Sequence, residues 1–375
     1  MNKLTIDSTI TDIFSYTSIL HNTLLFKSDA LDEKFEELAT LINKQAILEG
    51  KLDGISWLDI KYIYMNELDK IGIENLKGDA QQLEYGQANI LSSSSKDRIR
   101  KILKKIISKN YTITLSVKNY KGTFNLGDQP FEGVTFEYDT TNNIFKISII
   151  TQGYFNFDEQ NKDQALRYSA IDTAISILKI IFSYLSFFKN SIWVGDTFSY
   201  DQELQLSVQD NSDFSIKTIE TYERDIILML YPCHVKYQYR EHDQKNINSK
   251  FLSLITNQKH LLLAFGWFTQ SLHANDNDTR IIMLCIAFEA LYGKHNTTKE
   301  QTKNKDTYIL KAVFFLSVTN KERENFSAIL LDLFNARNAI VHADIKKKSD
   351  IQNSRIFHKS KNIFIRASLK ELTVY

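Results

Sequence analysis

The stretch ARNAIVHAD, Ala336 to Asp344, sets an arginine, an asparagine and a histidine within six residues of each other. A guanidinium is a permanently charged planar fork that grips anionic oxygens, and an imidazole exchanges protons near neutral pH. Together they make an anion clamp beside an acid or base, with the carboxamide of Asn338 able to orient either. With Arg337 at angle zero and about 100° per residue, Phe326, Ile329, Leu330, Leu333, Phe334, Ile340 and Val341 all fall within about 80° of it. Arg337 is therefore expected in the middle of an apolar stripe, with Asn338 and His342 on one flank at about 100° and about 140°.

A guanidinium buried without a counter-charge is costly. The segment RIIMLCIAFEALYG offers one, because Glu289 is the only charged residue from Ile281 to Gly293. The pattern predicts an ion pair between Glu289 and Arg337 on two helices of one bundle. Such a pair has two readings: a staple between helices, with His342 a helix-end residue near the negative end of the dipole, or the anchored half of a catalytic centre.

The elements that must hold these residues are helical. After a polar connector, Arg240 to Lys250, the periodicity predicts helices over Leu252 to His273, Asp278 to Tyr292, Tyr308 to Ser317, Lys321 to Val341 and Asn362 to Leu372. The NDND run, Asn275 to Asp278, reads as a turn that caps the Glu289 helix, and KHNTTKEQTKNKD reads as a polar loop. Upstream, residues 111 to 155 alternate and are rich in β-branched and aromatic residues (YTITLSV, GVTFEYD, NIFKISIIT), with GDQP and DTTNN as turns. A long helix is expected over Lys162 to Phe188, then strand-like SIWVGDTFSY and ELQLSVQ. Residues 1 to 110 read as mostly helical. In SSSSKDRIRKILKKIISKNY, the residues Ile99, Ile102, Leu103, Ile106 and Ile107 form a stripe, and Ser94 or Ser95 is the expected N-cap. The opposite face carries Lys96, Arg98, Arg100, Lys101, Lys104, Lys105 and Lys109 against Asp97 alone, which suits either solvent or a row of phosphates. The expected fold class is α+β, multidomain and mostly helical: a helical region 1–110, an α+β unit 111–250 and an all-α bundle 251–375.

Composition agrees with a folded chain. Its 375 residues are 43% hydrophobic and 24% charged, and only two prolines and twelve glycines interrupt it. Cys233 and Cys285 lie far apart, and Cys285 sits inside an apolar run, so a reducing, cytoplasmic setting is expected. The beginning MNKLTIDSTI has no apolar signal core, and no run approaches the length of a membrane span. The formal charge of +1 conceals an asymmetry: residues 251–375 hold 18 Lys and Arg against 11 Asp and Glu, and residues 1–250 hold 28 against 34. A basic C-terminal third suits a polyanionic partner, and equally suits docking on the acidic remainder.

The string R-N-A-I-V-H resembles the Arg…His signature of the HEPN superfamily, with a polar residue directly after the arginine. The preceding TRIIMLCIAFEALYG is similar to the EAL-type segment of its Apea-like branch. The resemblance covers residues 251–375; many relatives follow the histidine with glycine, where this chain has Ala343 and Asp344. It implies an endoribonuclease that needs neither metal nor cofactor, in which a ribose 2′-hydroxyl attacks the adjacent phosphate to leave a 2′,3′-cyclic phosphate. In that reaction Arg337 would hold the phosphorane oxygens, His342 would transfer the proton, Asn338 would orient one of them, and Glu289 would fix the guanidinium from behind. Lys346, Lys347 and Lys348 would take flanking phosphates, or simply form a solvated turn. The resemblance also implies a homodimer through the bundle, transfer or messenger RNA as substrate, and a setting in prokaryotic antiviral defence or abortive infection, with the N-terminal region sensing a trigger. The competing expectation is an inactive HEPN scaffold or nucleic-acid-binding protein that keeps the ion pair for stability.

Other signals carry less. Cys233, His234 and His242 lack a second cluster to complete a metal site, and no phosphate-binding or hydrolase motif occurs. Asp59 and Lys61 in LDIKY match a nuclease dipeptide spacing at chance level.

Overall fold

In a computed structural model of the chain, the structure describes residues 5–20, 23–26, 28–76, 91–118, 131–185, 204–221, 251, 253–255, 257–292, 305–342 and 350–374. The expected turn GDQP, the strand SIWVGDTFSY, Cys233, His234, His242, the connector 240–250 and Lys346, Lys347 and Lys348 lie outside the described residues. Most of the expected loop KHNTTKEQTKNKD lies outside them too. The described chain is mostly helical with a smaller β component, and it divides into two compact units.

The first unit comprises residues 1–116, 148–175 and 204–221. It begins with α1 (Ile6–Ser15), whose N-terminus is closed by a reciprocal Thr5 and Ser8 capping box. A short antiparallel hairpin follows, β1 (Thr17–Leu20) and β2 (Thr23–Phe26), in register Thr17 to Phe26. This hairpin is a short β element within residues expected to be mostly helical. Then come α2 (Ser28–Leu48), α3 (Trp57–Ile71), the single turn α4 (Ile73–Leu76) and α5 (Ser93–Leu103). Ile10, Ile13, Phe35, Leu38, Ile60 and Tyr64 are among the side chains that fill the core between these helices. The Tyr64 hydroxyl meets Thr17 Oγ1 at 2.7 Å, so the one polar group of that ring is satisfied inside.

The helix α5 is shorter than the sequence pattern predicts. Its N-cap is Ser92, whose hydroxyl accepts from Ser95 N, not Ser94 or Ser95. It stops at Leu103, so Ile106 and Ile107 leave the stripe; Ile106 is buried beside the helix and Ile107 is half exposed.

The strands β3 (Lys109–Val117), β4 (Val134–Asp139), β5 (Ile144–Gly153), β6 (Leu204–Asp210) and β7 (Ile216–Thr221) form one sheet in the order β4-β5-β3-β6-β7. Alternation in the sequence becomes alternation in burial: Tyr111, Ile113, Leu115 and Val117 all face inward. The DTTNN turn forms between β4 and β5, with Asn143 at φ 51° where an asparagine is tolerated.

The expected helix from Lys162 is two helices, α6 (Lys162–Ala165) and α7 (Ser169–Leu185). The break has a cause. Asp59 Oδ1 accepts from Ser169 N at 2.8 Å, and Ser169 Oγ accepts from Tyr154 N at 2.8 Å, so α7 restarts at a side-chain cap. Gly153 permits this approach, because a Cβ there would lie 2.7 Å from Ala170 N.

The second unit comprises residues 117–147, 176–203 and 222–375. Its helices are α8 (Lys259–His273), α9 (Asn277–Tyr292), α10 (Lys305–Leu316), α11 (Asn320–Val341) and α12 (Asp350–Val374). The second to fourth match the predicted segments closely, whereas α8 starts at Lys259, after the non-helical cap residue Gln258, instead of the predicted Leu252. The helix α9 is the hub: it packs on α8, α11 and α12, and Ile281, Leu284, Cys285, Ala287, Phe288 and Leu291 are buried around its circumference. Asp276 caps it, accepting from Thr279 N at 2.7 Å, as the NDND run predicts. The helix α12 starts at Asp350, well before the predicted Asn362. Its early turns carry the polar run NSRIFHKSKN, yet Ile356 and Phe357 are buried and Asn353 Nδ2 donates to Asp278 Oδ1 at 2.8 Å. Aromatic stacking ties the unit together, with Tyr184 on Phe251 at 4.1 Å and Phe268 on Phe364 at 4.6 Å between ring centres. No helix among the described residues is long and apolar enough to cross a membrane.

Candidate active site

The candidate residues lie on α9 and α11. Thr319 caps α11 through a capping box with Glu322, and Phe326, Leu330, Leu333, Phe334 and Ala336 are the buried face it turns inward. Toward its C-terminus that face runs out. Ile340 is half-buried and Val341 is 51% exposed. The apolar stripe thus ends earlier than the sequence pattern predicts, and Arg337 sits where it thins. Its side chain is half-buried.

Arg337 Nη1 donates to Asn338 Oδ1 at 3.2 Å, and Arg337 Nε is enclosed with no acceptor. The expected ion pair with Glu289 does not form: among the described residues no carboxylate lies within 4.0 Å of the guanidinium. The physical reason is partial exposure of both side chains. A half-buried guanidinium or carboxylate keeps some contact with solvent, and the desolvation that would force pairing is reduced.

Glu289 and Arg337 nevertheless share a neighbour. Cys285, fully buried one turn before Glu289, directs its thiol at Leu333 O over 3.9 Å. Burial pushes that thiol far above its ordinary pKa; the charge of Glu289 pushes it the same way, and that of Arg337 opposes them. Cys285 is therefore an inert core side chain between the two fields, not a nucleophile. Tyr308, on α10, lies in the field of Glu289 as well: burial raises its phenol first, and the carboxylate adds to the effect. Its ring stacks on Phe334 at 6.4 Å. Neither Cys285 nor Tyr308 carried a functional signal in the sequence, since both fall at ordinary core positions of their helices.

His342 is the C-cap of α11, with φ −89° and ψ 7°, and its backbone N donates to Asn338 O at 3.0 Å. The imidazole is exposed. The structure thus brings Arg337 and Asn338 into direct contact and places His342 at the same helix end, joined to Asn338 through the backbone. No family model, curated protein or solved structure matches the chain. The arrangement has to be read on its own chemistry: a cation bonded, among the described residues, only to a neutral amide, at the same helix C-terminus as an exposed imidazole.

Proposed function

We propose that residues 251–375 form a metal-independent HEPN-type endoribonuclease, with Arg337 holding the scissile phosphate and His342 transferring the proton. The observation that carries this reading is the unspent charge of Arg337. Among the described residues its only side-chain partner is the neutral Asn338, so the cation remains available to an anionic oxygen. A scaffold that had kept Arg337 for stability would hold it against a carboxylate, and the side chain of Glu289 is not so placed. In the proposed reaction a ribose 2′-hydroxyl attacks the adjacent phosphorus while its 5′-oxygen leaves. The products are a 2′,3′-cyclic phosphate and a free 5′-hydroxyl, and no water is consumed. Asn338 positions the guanidinium rather than touching the reacting atoms. Glu289 acts at longer range, biasing the local field that Cys285 and Tyr308 also feel.

The resemblance that supports this reading brings with it a homodimer through the bundle, transfer or messenger RNA as substrate, flanking phosphate contacts from Lys346, Lys347 and Lys348, and a role in prokaryotic antiviral defence triggered through the N-terminal region. The test is incubation of the purified full-length protein with RNA in EDTA, followed by mapping of the ends. Cyclic-phosphate ends that disappear with His342→Ala are expected. Ends produced equally by the parent and His342→Ala proteins would refute the assignment.

A further inference from the structure

One face of α12 carries a row of cations. From Ile351 to Lys370 this helix contains no Asp or Glu. At about 100° per residue, Arg355, Lys359, Arg366 and Lys370 fall within about 60° of one another, along about 22 Å of helix. Arg355, Lys359 and Lys370 are exposed and Arg366 is half-buried. Arg355 and Lys359 border a groove of about 310 Å³ that Ile329 and Asp332 of α11 also line.

What these cations touch decides what they can bind. Among the described residues no carboxylate, Asp332 included, lies within 4.0 Å of any of the four. Arg366 lies over the Phe326 ring at 4.9 Å; Lys370 lies over the Phe315 ring at 5.0 Å and donates to the Phe315 carbonyl oxygen. These partners are neutral, so they hold the two side chains in place without cancelling their charge. Glu322 feels the field of Arg366, but its carboxylate accepts from Val318 N and Thr319 N. His358, at the edge of the same face, sits in a positive field: partial burial pushes its imidazole below the ordinary value, and Lys361 and Arg280 push it the same way. The other exposed residues of α12 from Gln352 to Thr373 are Gln352, His358, Asn362 and Thr373, all polar. This face therefore offers no aliphatic or aromatic side chain to enter a bilayer or to anchor in a protein pocket. A line of uncancelled cations on a polar surface complements a polymer with a regularly repeated negative charge, gripped through its backbone.

We propose that the exposed face of α12, from Arg355 to Lys370, is a binding track for the phosphodiester backbone of a nucleic-acid strand, with Arg355 and Lys359 as its most accessible phosphate contacts. The track stands apart from the ribonuclease reading, since it needs backbone phosphates and no turnover at Arg337 or His342.

The experiment is a fluorescence anisotropy titration of the full-length protein with a labelled oligouridylate of about 12 nucleotides. Every 2′-hydroxyl of the probe is methylated, so the proposed cleavage cannot occur and binding is read separately from it. Saturable binding is expected, with log K falling against log salt at a slope of about −3 or steeper, from four cations at about 0.7 each. The double variant Arg355→Ala, Lys359→Ala should bind at least about tenfold more weakly at about 0.1 M salt and flatten the slope by about 1.4. Its melting temperature should match that of the parent, because both side chains are exposed and without an ion pair among the described residues. Arg98→Ala, Arg100→Ala, which removes two cations of α5 that already have carboxylates, should bind the probe like the parent. No saturable binding, or binding and slope unaltered in the α12 variant, would overturn the track. An equal loss in the α5 variant would show that charge number and not pairing decides, and would overturn its location. Tighter binding of polyglutamate or of phosphatidylserine vesicles than of the probe would overturn the assignment to nucleic acid.

Discussion

The basic face of α5 and the C-terminus of α11 look alike in the sequence and differ in what their cations touch. Around α5, Arg98 pairs with Glu67 at 3.2 Å, Arg100 with Asp97 at 2.8 Å, Lys104 with Asp7 at 2.6 Å and Lys109 with Asp210 at 2.5 Å. These charges are spent on the fold, and the row of phosphates that the sequence allows there has competitors already in place. At the C-terminus of α11, Arg337 has a neutral amide and, among the described residues, no carboxylate. A run of seven cations is thus weaker evidence for an anionic partner than one arginine whose charge is left open, because partner availability rather than charge density decides what a cation can bind.

The largest effect that would break this contrast is on turnover. Arg337→Ala should reduce RNA cleavage by about 10² to 10³-fold, the usual loss when one donor to a developing oxyanion is removed. Arg337→Lys, which keeps the charge and loses the fork, should recover only a minor part. If either variant cuts as fast as the parent, Arg337 is no different from the α5 residues.

The next effect is on stability at the other region. Asp210 is almost wholly buried and accepts from Ser212 N and Oγ as well as from Lys109. Burial works to raise its carboxyl, yet Lys109 and Ser212 hold it below the ordinary carboxylate range. Lys109→Ala should therefore cost about 2 kcal/mol in chemical denaturation, from a buried carboxylate left with fewer partners, and should leave RNA cleavage unchanged. A loss of cleavage with unchanged stability would reverse the roles assigned to the two regions.

A pH profile sharpens the point that buried carboxylates in the first unit serve the fold. Burial raises Asp59 to about 6, although Ser169 and Ser56 donate to it and pull the other way. A carboxyl whose folded pKa lies above its unfolded value of about 3.9 binds its proton more tightly in the folded state. Its contribution to stability should therefore grow as pH falls from about 7 to about 4, then level off, by about 2 to 3 kcal/mol. Asp59→Asn should flatten that slope in unfolding titrations. A slope that persists in the variant would assign it to other groups.

The smallest effect is expected from Arg98→Ala. Half-exposed Arg98 shares Glu67 with Lys70, which remains at 3.1 Å, so the change should be within about 1 kcal/mol. A larger loss would mean that the α5 pairs act as a network.

Much of this architecture is legible in the sequence where a periodic apolar pattern is long. The helices α9 to α11 and the strands β3 to β6 fall close to their predicted places, because burial on one side enforces period 3.6 or 2. The β1–β2 hairpin is not legible: TSIL and TLLF are four residues each, too short to separate alternation from a helical stripe. The onset of α12 is hidden by buried polar residues such as Asn353 and Lys361, which read as surface. The break before α7 depends on Asp59, more than a hundred residues away, which no local pattern encodes. At the candidate site, the contact of Arg337 with Asn338 follows from adjacency. The expected Glu289 partner fails because helical angles place a residue on a stripe without saying where along the helix the core recedes. Helix angles alone put Val341 inside, whereas it is half exposed.

The central claim is that Arg337 is held open for a phosphate and not for stability. The most direct test compares the single-turnover RNA cleavage rate of parent and Arg337→Ala proteins in EDTA with their unfolding free energies in the same buffer. The account predicts a rate lower by at least about 10²-fold with stability changed by less than about 1 kcal/mol. An unchanged rate with a stability loss of several kcal/mol would make Arg337 a structural residue and contradict it.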